Sequence, residues 1–232
     1  MSPKKMFKKH SEKYNLFENM VGSSMTTKTP MEFYTELGFE WLSKLKSSVI
    51  TENELTYLTR FLKKDWKILD LACGYGRFSI PLALMGYRVQ GIDITSIFIE
   101  KGKEEARKRN LSIEFRVGDM RSLPYEDRSF DSVICMWNSF SELVQIQDQV
   151  KAITEIFRVL KRGGLAIVEV RNHRSSGPIE ENFIDGYEAM PTYNHTKGSI
   201  KRLMKLSDIG TFKVFVEEFG GRNRLLFEIM KK

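Results

Sequence analysis

The chain has 232 residues, of which 41% are hydrophobic, and 37 Lys and Arg against 30 Asp and Glu give it a formal net charge of +7. This length suits one α/β domain with an appended segment, which can bury roughly 70% of the surface of the unfolded chain. No stretch approaches about 18 uninterrupted apolar residues, so we expect no transmembrane helix. The two cysteines, Cys73 and Cys135, exclude a disulfide framework and favour the reducing cytoplasm.

The positive charge is spread along the chain rather than gathered with aromatic residues on one face. A net positive charge assists encounters with anionic partners, but a solvated lysine-rich surface accounts for this spacing more simply. Nucleic acid is therefore an open but disfavoured partner.

Residues 1–50 are predicted to form a polar arm followed by an amphipathic helix, with turn-forming residues before position 29. Large apolar residues recur every four positions on one face of that helix: Phe33, Leu37, Trp41 and Leu45. A second helix is predicted from Thr51, with Glu54 completing a capping box at its start. We expect residues 1–50 to cover a cleft in the domain formed by residues 51–232.

Residues 68–93 predict a nucleoside site. An apolar run at 68–71, typical of a buried parallel strand, breaks into a loop that contains Gly74 and Gly76. Glycine lets the backbone turn sharply or lie against a ligand, and the helix that follows directs its N-terminal amides at the loop. A second apolar run ends in Asp93, where nucleotide-binding α/β folds place an acid on the ribose hydroxyls.

Charge decides which nucleoside fits this loop. Asp70 stands at the mouth of the loop, where a carboxylate would repel a pyrophosphate but attract the ammonium and sulfonium groups of S-adenosylmethionine. A dinucleotide site also expects a third small residue where the helix begins, and Arg77 or Ser79 stands there instead. A nicotinamide-dependent oxidoreductase is therefore the disfavoured alternative.

The segment DLACGYG at positions 70–76 resembles the first motif of the class I S-adenosylmethionine-dependent methyltransferases, with Ala72 in place of the usual first glycine. In the family an acid after the third strand binds the adenine amino group, and Asp119 stands after the predicted strand 113–117. The resemblance implies a cofactor site of eleven residues: Asp70, Ala72, Cys73, Gly74, Gly76, Arg77, Asp93, Ile94, Asp119, Met120 and Met136.

The residues after the fourth predicted strand, 130–136, concern the methyl acceptor. Methyltransferases that act on the exocyclic amines of bases carry Asp or Asn followed by Pro-Pro-Tyr or Pro-Pro-Phe here, and this chain does not. Its MWNSF at 136–140 resembles small-molecule methyltransferases of the ubiquinone-pathway and glycine-methyltransferase kind. The resemblance therefore implies a small-molecule acceptor.

The rest of the chain predicts a helix at 147–161, a strand at 165–170, a helix at 199–206 and a C-terminal hairpin through Gly220 and Gly221. Between them, residues 171–198 lack core periodicity, and a loop of this length in a compact domain is usually functional, so we expect a substrate loop. The resemblance implies a doubly wound α/β fold. Its seven-stranded sheet would be mostly parallel, with the antiparallel hairpin at its C-terminal end and helices on both faces.

Methyl transfer from a sulfonium is an in-line displacement whose neutral leaving group needs no protonation, so alignment can supply roughly 7 to 11 kcal/mol of the barrier. A general base is optional, and the weak candidates are His173 and His195. The pattern contains no cluster with metal-ligand spacing. Residues expected to contact the acceptor follow the fourth and fifth strands or lie on the first helix: Trp41, Trp137, Asn138, Asn172 and His173.

Two alternatives use the same cofactor site. One is a methyltransferase that acts on RNA or protein, which only the positive charge favours. The other is a non-catalytic module that binds S-adenosylmethionine, because ligand motifs do not prove turnover.

Overall fold

The structure, a computed structural model, describes residues 28–44, 48–179, 182–184, 187–219 and 222–232. The N-terminal arm predicted before position 28 and the hairpin glycines Gly220 and Gly221 lie outside the described residues.

The described residues alternate between helices and strands. The helices are α1 Pro30–Lys44, α2 Ser48–Thr59, α3 Ser79–Leu84, α4 Ser96–Lys108, α5 Ile146–Val159 and α6 Lys197–Leu206, with a 3₁₀ helix at Ser139–Glu142. The main strands are β1 Lys67–Leu71, β2 Arg88–Asp93, β3 Glu114–Val117, β4 Phe130–Cys135, β5 Leu160–Arg171, β10 Phe212–Phe219 and β11 Arg222–Met230. Four short strands lie between them: β6 Gly177–Ile179, β7 Asn182–Ile184, β8 Tyr187–Ala189 and β9 Thr192–Asn194.

The main sheet has seven strands in the order β10-β11-β5-β4-β1-β2-β3. Strands β1 to β5 pair in parallel, whereas β11 pairs antiparallel with both β5 and β10. The predicted fold, a mostly parallel sheet with a C-terminal antiparallel hairpin, is confirmed. Because the strand order reverses between β1 and β4, the crevice at their carboxyl ends is the topological switch point, where open α/β sheets bind ligands.

Both faces of the sheet are covered, which explains why its central strands are apolar at successive positions. Ile68 of β1 and Ile134 of β4 pack in one cluster with α2 and α3. Leu69 and Val133, which are adjacent to these residues in the same strands, pack in another cluster with α5 and α6. The alternation fixes which side chains of each strand reach each layer of helices, as in a doubly wound domain.

Two predicted boundaries are wrong. Helix α2 begins at Ser48 rather than Thr51, and Glu54 is no capping residue, because its buried carboxylate accepts hydrogen bonds from Arg77 and Arg224. Helix α5 ends at Val159 rather than at position 161, and β5 begins at once at Leu160 rather than at 165, so Gly163 and Gly164 lie within the strand.

The described residues within 171–198 form short strands rather than a loop. Strands β6 and β9 pair antiparallel and enclose the β7 and β8 pair, and Thr196 caps α6 through a reciprocal bond with Ser199. Strands of three residues are too short for hydrophobic periodicity to reveal, which is why the sequence predicted a loop here. No helix that the structure describes combines the length and apolarity needed to cross a membrane.

Candidate functional site

A cavity of about 420 Å³ lies at the carboxyl ends of the central strands, at the switch point. We name its two sides after the ligands that the sequence predicts for them: the cofactor side comprises the loops after β1, β2 and β3, and the acceptor side comprises α1 with the turn and 3₁₀ helix after β4. The structure brings ten of the residues predicted for the cofactor to the wall of this one cavity: Asp70, Ala72, Cys73, Gly74, Arg77, Asp93, Ile94, Asp119, Met120 and Met136.

Gly76, the remaining cofactor candidate, supports the loop from behind. Its backbone has φ +86, and a Cβ at this position would come within 2.8 Å of Phe115 Cζ. Gly76 is therefore required for the packing of the loop against β3, whereas its neighbours face the cavity.

The loop after β1 is held in a strained shape by its own backbone. Ala72 has φ +57 and Gly74 has φ +56, both in the left-handed region, which costs roughly 1 to 2 kcal/mol for a residue with a Cβ. The Cys73 N–H donates to the Ile92 carbonyl at 3.0 Å and so ties the loop to β2. Strain of this kind persists where the surrounding structure imposes it, and it concentrates at ligand sites.

Asp93 closes the loop from the end of β2. Its Oδ2 accepts the Gly74 N–H at 2.8 Å, and its Oδ1 accepts the Thr95 N–H at 2.8 Å. These bonds fix the carboxylate in the cavity wall, and each carboxylate oxygen can accept a further hydrogen bond. The carboxylate therefore keeps acceptor capacity at both oxygens.

Asp70 lies deeper than the sequence suggested. The residue is 1% exposed, and the Ser79 hydroxyl donates to its carboxylate at 2.6 Å. Burial raises the pKa of Asp70 to about 7, although the Ser79 bond and the charge of Arg77 lower it in part. A cationic ligand in the cavity would favour the ionised form, so Asp70 is suited to a ligand that carries positive charge.

Asp119 is fixed by an arginine. Arg121 donates to the Asp119 carboxylate through Nε and Nη2 at 2.9 and 2.6 Å and to Asp148 Oδ2 at 2.8 Å, and all three residues line the cavity. Burial raises the pKa of Asp119, but the hydrogen bonds from Arg121 outweigh that effect and leave it below its ordinary value. The carboxylate is therefore an ionised acceptor with part of its capacity already used.

A buried ion network, absent from the sequence predictions, joins both sides of the cavity. Arg77 donates to Glu54 at 2.6 Å, and Arg224 donates to both Glu54 and Glu169 at 2.9 Å. Glu169 Oε2 in turn accepts the backbone N–H of Trp137 at 2.5 Å. No local pattern reveals such contacts, because they connect α2, the loop after β1, β5 and β11. The only available signal was charged residues within otherwise apolar strands.

Of the acceptor candidates, the structure brings Trp137 to the cavity wall. Asn138 is occupied elsewhere, since its Oδ1 accepts the Arg171 N–H and the Ser141 hydroxyl at 2.7 Å each. Trp41 stacks edge-on against Phe33 with ring centroids 5.9 Å apart.

The remaining candidates lie behind the acceptor side. Asn172 and His195 pair as an isolated bridge, and the His173 N–H donates to the His195 carbonyl at 3.1 Å. None of these three residues is part of the cavity wall that the described residues form. His195 is 1% exposed, packs against the rings of Phe140 and Tyr193, and has its pKa lowered to about 4 by burial.

The acceptor side contains a pair that sequence reasoning missed. The Tyr34 hydroxyl on α1 donates to Glu142 Oε1 at 2.8 Å, and both residues line the cavity. Burial, followed by the Glu142 charge, raises the pKa of Tyr34 well above its ordinary value, so the phenol stays protonated. This bond places α1 over the cavity, where Leu42 also lies 4.0 Å from the position of a Cβ on Gly74.

The fold and the cavity define a doubly wound α/β domain with a ligand cavity at its switch point, and three comparisons show which proteins it resembles. Residues 68–164 match the model of the methyltransferase domain. The putative methyltransferase YqeM of Bacillus subtilis is 35% identical over 124 residues, which cover 53% of this chain and 49% of that protein. A glycine/sarcosine N-methyltransferase of Parasynechococcus marenigrum is 30% identical over 145 residues, which cover 61% and 51%.

A solved structure of an S-adenosylmethionine-dependent methyltransferase from Methanosarcina mazei matches with a TM-score of 0.63 and 25% identity, covering 76% of this chain and 98% of that chain. The chain spans about half the length of the curated relatives it matches. Residues 68–164 therefore form a methyltransferase domain, and both sequence and fold resemble the class I S-adenosylmethionine-dependent methyltransferases.

Proposed function

We propose that this protein transfers the methyl group of S-adenosylmethionine to a small-molecule acceptor. The observation that carries the proposal is a cavity of about 420 Å³ that joins the cofactor residues to Tyr34, Trp137 and Glu142. A cavity of this size is in the range of small-ligand sites. The glycine/sarcosine N-methyltransferase among the relatives supports a small acceptor.

The residues of the cavity suit this cofactor. Asp93 offers carboxylate oxygens for two hydroxyl groups, and Asp70 suits a positively charged ligand. The Thr95 hydroxyl also lines the cavity and is buried without a hydrogen-bond partner among the described residues. Such a group costs free energy unless a ligand or a water molecule satisfies it.

When bound, S-adenosylmethionine supplies an electrophilic methyl group, and the protein's task is alignment and the exclusion of water. We assign the cofactor to the cofactor side and the acceptor to the region beside Trp137 and Glu142. The earlier expectation that Asn172 and His173 bind the acceptor is not supported by their position behind the wall. No general base is assigned to His173 or His195 for the same reason.

Helix α1 is assigned the role of cleft cover that the sequence predicted for residues 1–50. Its residues Met31, Tyr34 and Leu42 line the cavity from above. Met190, within the predicted substrate loop 171–198, packs in one cluster with Phe33 of α1 and supports this cover from outside. The domain that α1 covers extends through residues 51–232. We also propose a cytoplasmic location, which the two free, buried cysteines favour.

Two measurements test the proposal. Calorimetric titration should detect binding of S-adenosylmethionine and no comparable binding of NAD. With methyl-labelled cofactor, label should enter the small molecules of a deproteinised metabolite extract, with no comparable incorporation into RNA or protein from the same cells. Label found only in the macromolecules would replace the small-molecule assignment, and binding without any transfer would identify a non-catalytic module.

A further inference from the structure

The buried ion network consists of Arg77, Glu54, Arg224 and Glu169, which are 7%, 0%, 6% and 1% exposed. Charged side chains are almost never this deep unless they are paired. Here positive and negative side chains alternate from Arg77 to Glu169. Arg224 lies between the two glutamates and donates to one carboxylate oxygen of each, Glu54 and Glu169. The other oxygen of Glu54 receives Arg77, and the other oxygen of Glu169 receives the Trp137 N–H.

Both ends of this network reach the cavity. Arg77 lines it from the loop after β1, and Trp137 lines it from the turn after β4. The Arg77 guanidinium also lies 5.2 Å from the centre of the Trp137 ring and 4.0 Å from that of Phe78. The cofactor side and the acceptor side are thus connected through charges that water does not screen.

The turn that the network supports is strained. Trp137 has φ +67 and Asn138 has φ +64, although neither residue is glycine. Two successive left-handed residues cost roughly 1 to 2 kcal/mol each. The turn persists because Glu169 holds the Trp137 N–H, while the Asn138 side chain holds the Arg171 N–H and the Ser141 hydroxyl.

Stability alone does not account for the network. Apolar residues of similar volume often replace buried ion pairs without loss of stability, since the pairs lose much of their attraction to desolvation. What an apolar cluster cannot do is hold a backbone N–H in a left-handed turn. The carboxylate of Glu169 does this while Arg224 fixes its orientation.

We propose that Glu169 and Arg224 are positioning residues for methyl transfer. They hold the Trp137 turn so that the indole lines the acceptor side. Through Glu54 they also fix the position of this turn relative to Arg77 on the cofactor side. The inference rests on the proposed function, because positioning has a purpose only if an acceptor is aligned with the cofactor.

Glu169→Gln separates positioning from packing. Arg224 and the Trp137 backbone N–H donate to different oxygens of Glu169, and glutamine keeps the shape but replaces one of these oxygens by an NH2 group, which cannot accept. Glu155→Gln is the matched control, because Glu155 likewise binds an arginine, Arg158 at 2.7 Å, and a backbone N–H, that of Leu123 at 2.6 Å. Glu155 is not among the cavity-lining residues of the described chain.

The readout is Trp137 itself. In a background with Trp41→Phe and Trp66→Phe, it is the only tryptophan left of the three in the chain. In that background Glu169→Gln should increase acrylamide quenching of Trp137 fluorescence at least two-fold. It should also lower the rate of label transfer to metabolite extract by about ten-fold or more, since small misplacements of reacting groups slow transfer strongly. The affinity for S-adenosylmethionine should change less than two-fold, and Glu155→Gln should leave quenching and transfer unchanged.

The double variant Glu169→Gln with Arg224→Met covers the case in which the single variant does not fold. It removes one charge of each sign and leaves the Arg77 and Glu54 pair intact, and it should show the same increase in quenching. Arg224→Lys keeps the charge but lacks the fork that reaches two carboxylates. Its transfer rate should therefore lie between the rates of Arg224→Met and the wild type.

Unchanged quenching and transfer in a folded Glu169 variant would overturn the positioning role. Failure of the wild-type protein to bind S-adenosylmethionine or to transfer label would instead overturn the proposed function, so the two failures are distinguishable.

Discussion

The two sides of the cavity are built in different ways. On the cofactor side, the contacts that fix each carboxylate join residues close in sequence: Asp119 to Arg121, Asp93 to Thr95, Asp70 to Ser79 and Gly74 to Asp93, at separations of 2, 2, 9 and 19 residues. On the acceptor side they join distant ones: Trp137 to Glu169, Tyr34 to Glu142 and Glu54 to Arg224, at separations of 32, 108 and 170. The cofactor side is thus a local structure, whereas the acceptor side exists only when remote elements have packed.

This difference predicts different consequences for substitutions. A change on the cofactor side should remove ligand affinity and leave the fold, because few other elements depend on the loop carboxylates. A change on the acceptor side should alter the placement of α1 or of the Trp137 turn, because each contact there joins two elements of the fold.

The largest effect is expected from Asp93→Asn on the cofactor side. The variant keeps the shape but loses the charge that would strengthen bonds to two ribose hydroxyls, and it loses one of the two oxygens that hold the Gly74 and Thr95 N–H groups. These losses should cost about 2 to 3 kcal/mol of binding free energy, or about 30-fold or more in affinity. Calorimetric titration with S-adenosylmethionine measures it. Asp127→Asn, at a side chain that is 72% exposed, is the control and should bind as the wild type does.

Circular dichroism of Asp93→Asn should match that of the wild-type protein. If the folded variant kept its affinity, Asp93 would not be the ribose ligand. If it unfolded, the loop would not be the local structure that its contacts suggest, because the carboxylate also holds the Gly74 and Thr95 N–H groups.

Sequence reasoning predicted the sheet and most of the cavity wall formed by the loops after β1, β2 and β3 for the same physical reason. Buried parallel strands are apolar on both faces, and the glycine loop and the acids follow their carboxyl ends at short range. Gly76 shows the limit of this reasoning. Its motif predicts a ligand contact, but the position behind the loop depends on Phe115 of β3, which is distant in sequence.

The acceptor side could not be read in this way. Glu54 follows Thr51 by three residues and so matches a capping box, but its partners are Arg77 and Arg224. Tyr34 does not belong to the predicted apolar face of α1, and its hydrogen bond to Glu142 spans 108 residues. A local pattern carries no information about a partner on another element.

The histidines illustrate the same limit. His173 follows β5 and His195 lies in the predicted substrate loop, which is why the sequence made them candidates. Pairing between β6 and β9 directs this part of the chain away from the cavity, and His195 becomes buried against Phe140. Its role is then expected in the stability of the acceptor side rather than in proton transfer.

A smaller effect is expected from the pH dependence of His195. Burial lowers its pKa from 6.5 to about 4, and neither ring nitrogen has a hydrogen-bond partner among the described residues. The unfolded chain therefore binds the proton more tightly than the folded chain does. The contribution of neutral His195 to the free energy of unfolding is therefore complete only above pH 6.5. It is lost as the pH falls from 6.5 towards about 4, at up to about 1.4 kcal/mol per pH unit.

Urea denaturation of His195→Leu and wild type at pH 7.5, 6.5 and 5.5 measures this effect. The difference in free energy of unfolding between the two should shift by about 1 kcal/mol in favour of the variant from pH 6.5 to 5.5, because the histidine of the unfolded chain is already half-protonated at pH 6.5. His173→Gln, at the half-buried neighbour, should remove much less of the dependence. A constant difference across this range would contradict the prediction.

On the cofactor side Asp70 acts in the opposite direction. Its pKa is raised from 3.8 to about 7. The contribution of protonated Asp70 to the free energy of unfolding is therefore complete below pH 3.8 and is lost as the pH rises through about 7. The wild-type profile contains both effects, and for this reason the comparison uses the difference between variants at each pH.

The smallest effect is expected from Tyr34→Phe, which removes the hydrogen bond that holds α1 to Glu142 while keeping the ring contacts with Phe33 and Phe98 at 5.2 and 5.9 Å. The loss should cost about 1 kcal/mol of unfolding free energy, because the pair is half-buried and water can replace the phenol. If α1 covers the cavity, the same loss should raise the dissociation rate of S-adenosylmethionine by about five-fold, since a rate scales with the free energy of closure. Stopped-flow displacement of the cofactor measures that rate. Tyr87→Phe is the control, because Tyr87 is a buried tyrosine that is not part of the cavity wall. An unchanged dissociation rate in the Tyr34 variant would mean that α1 stays closed without this bond. The cover would then rest on the apolar contacts of Leu42 and Met31 alone. In that case the acceptor side would depend less on long-range polar contacts than the comparison implies.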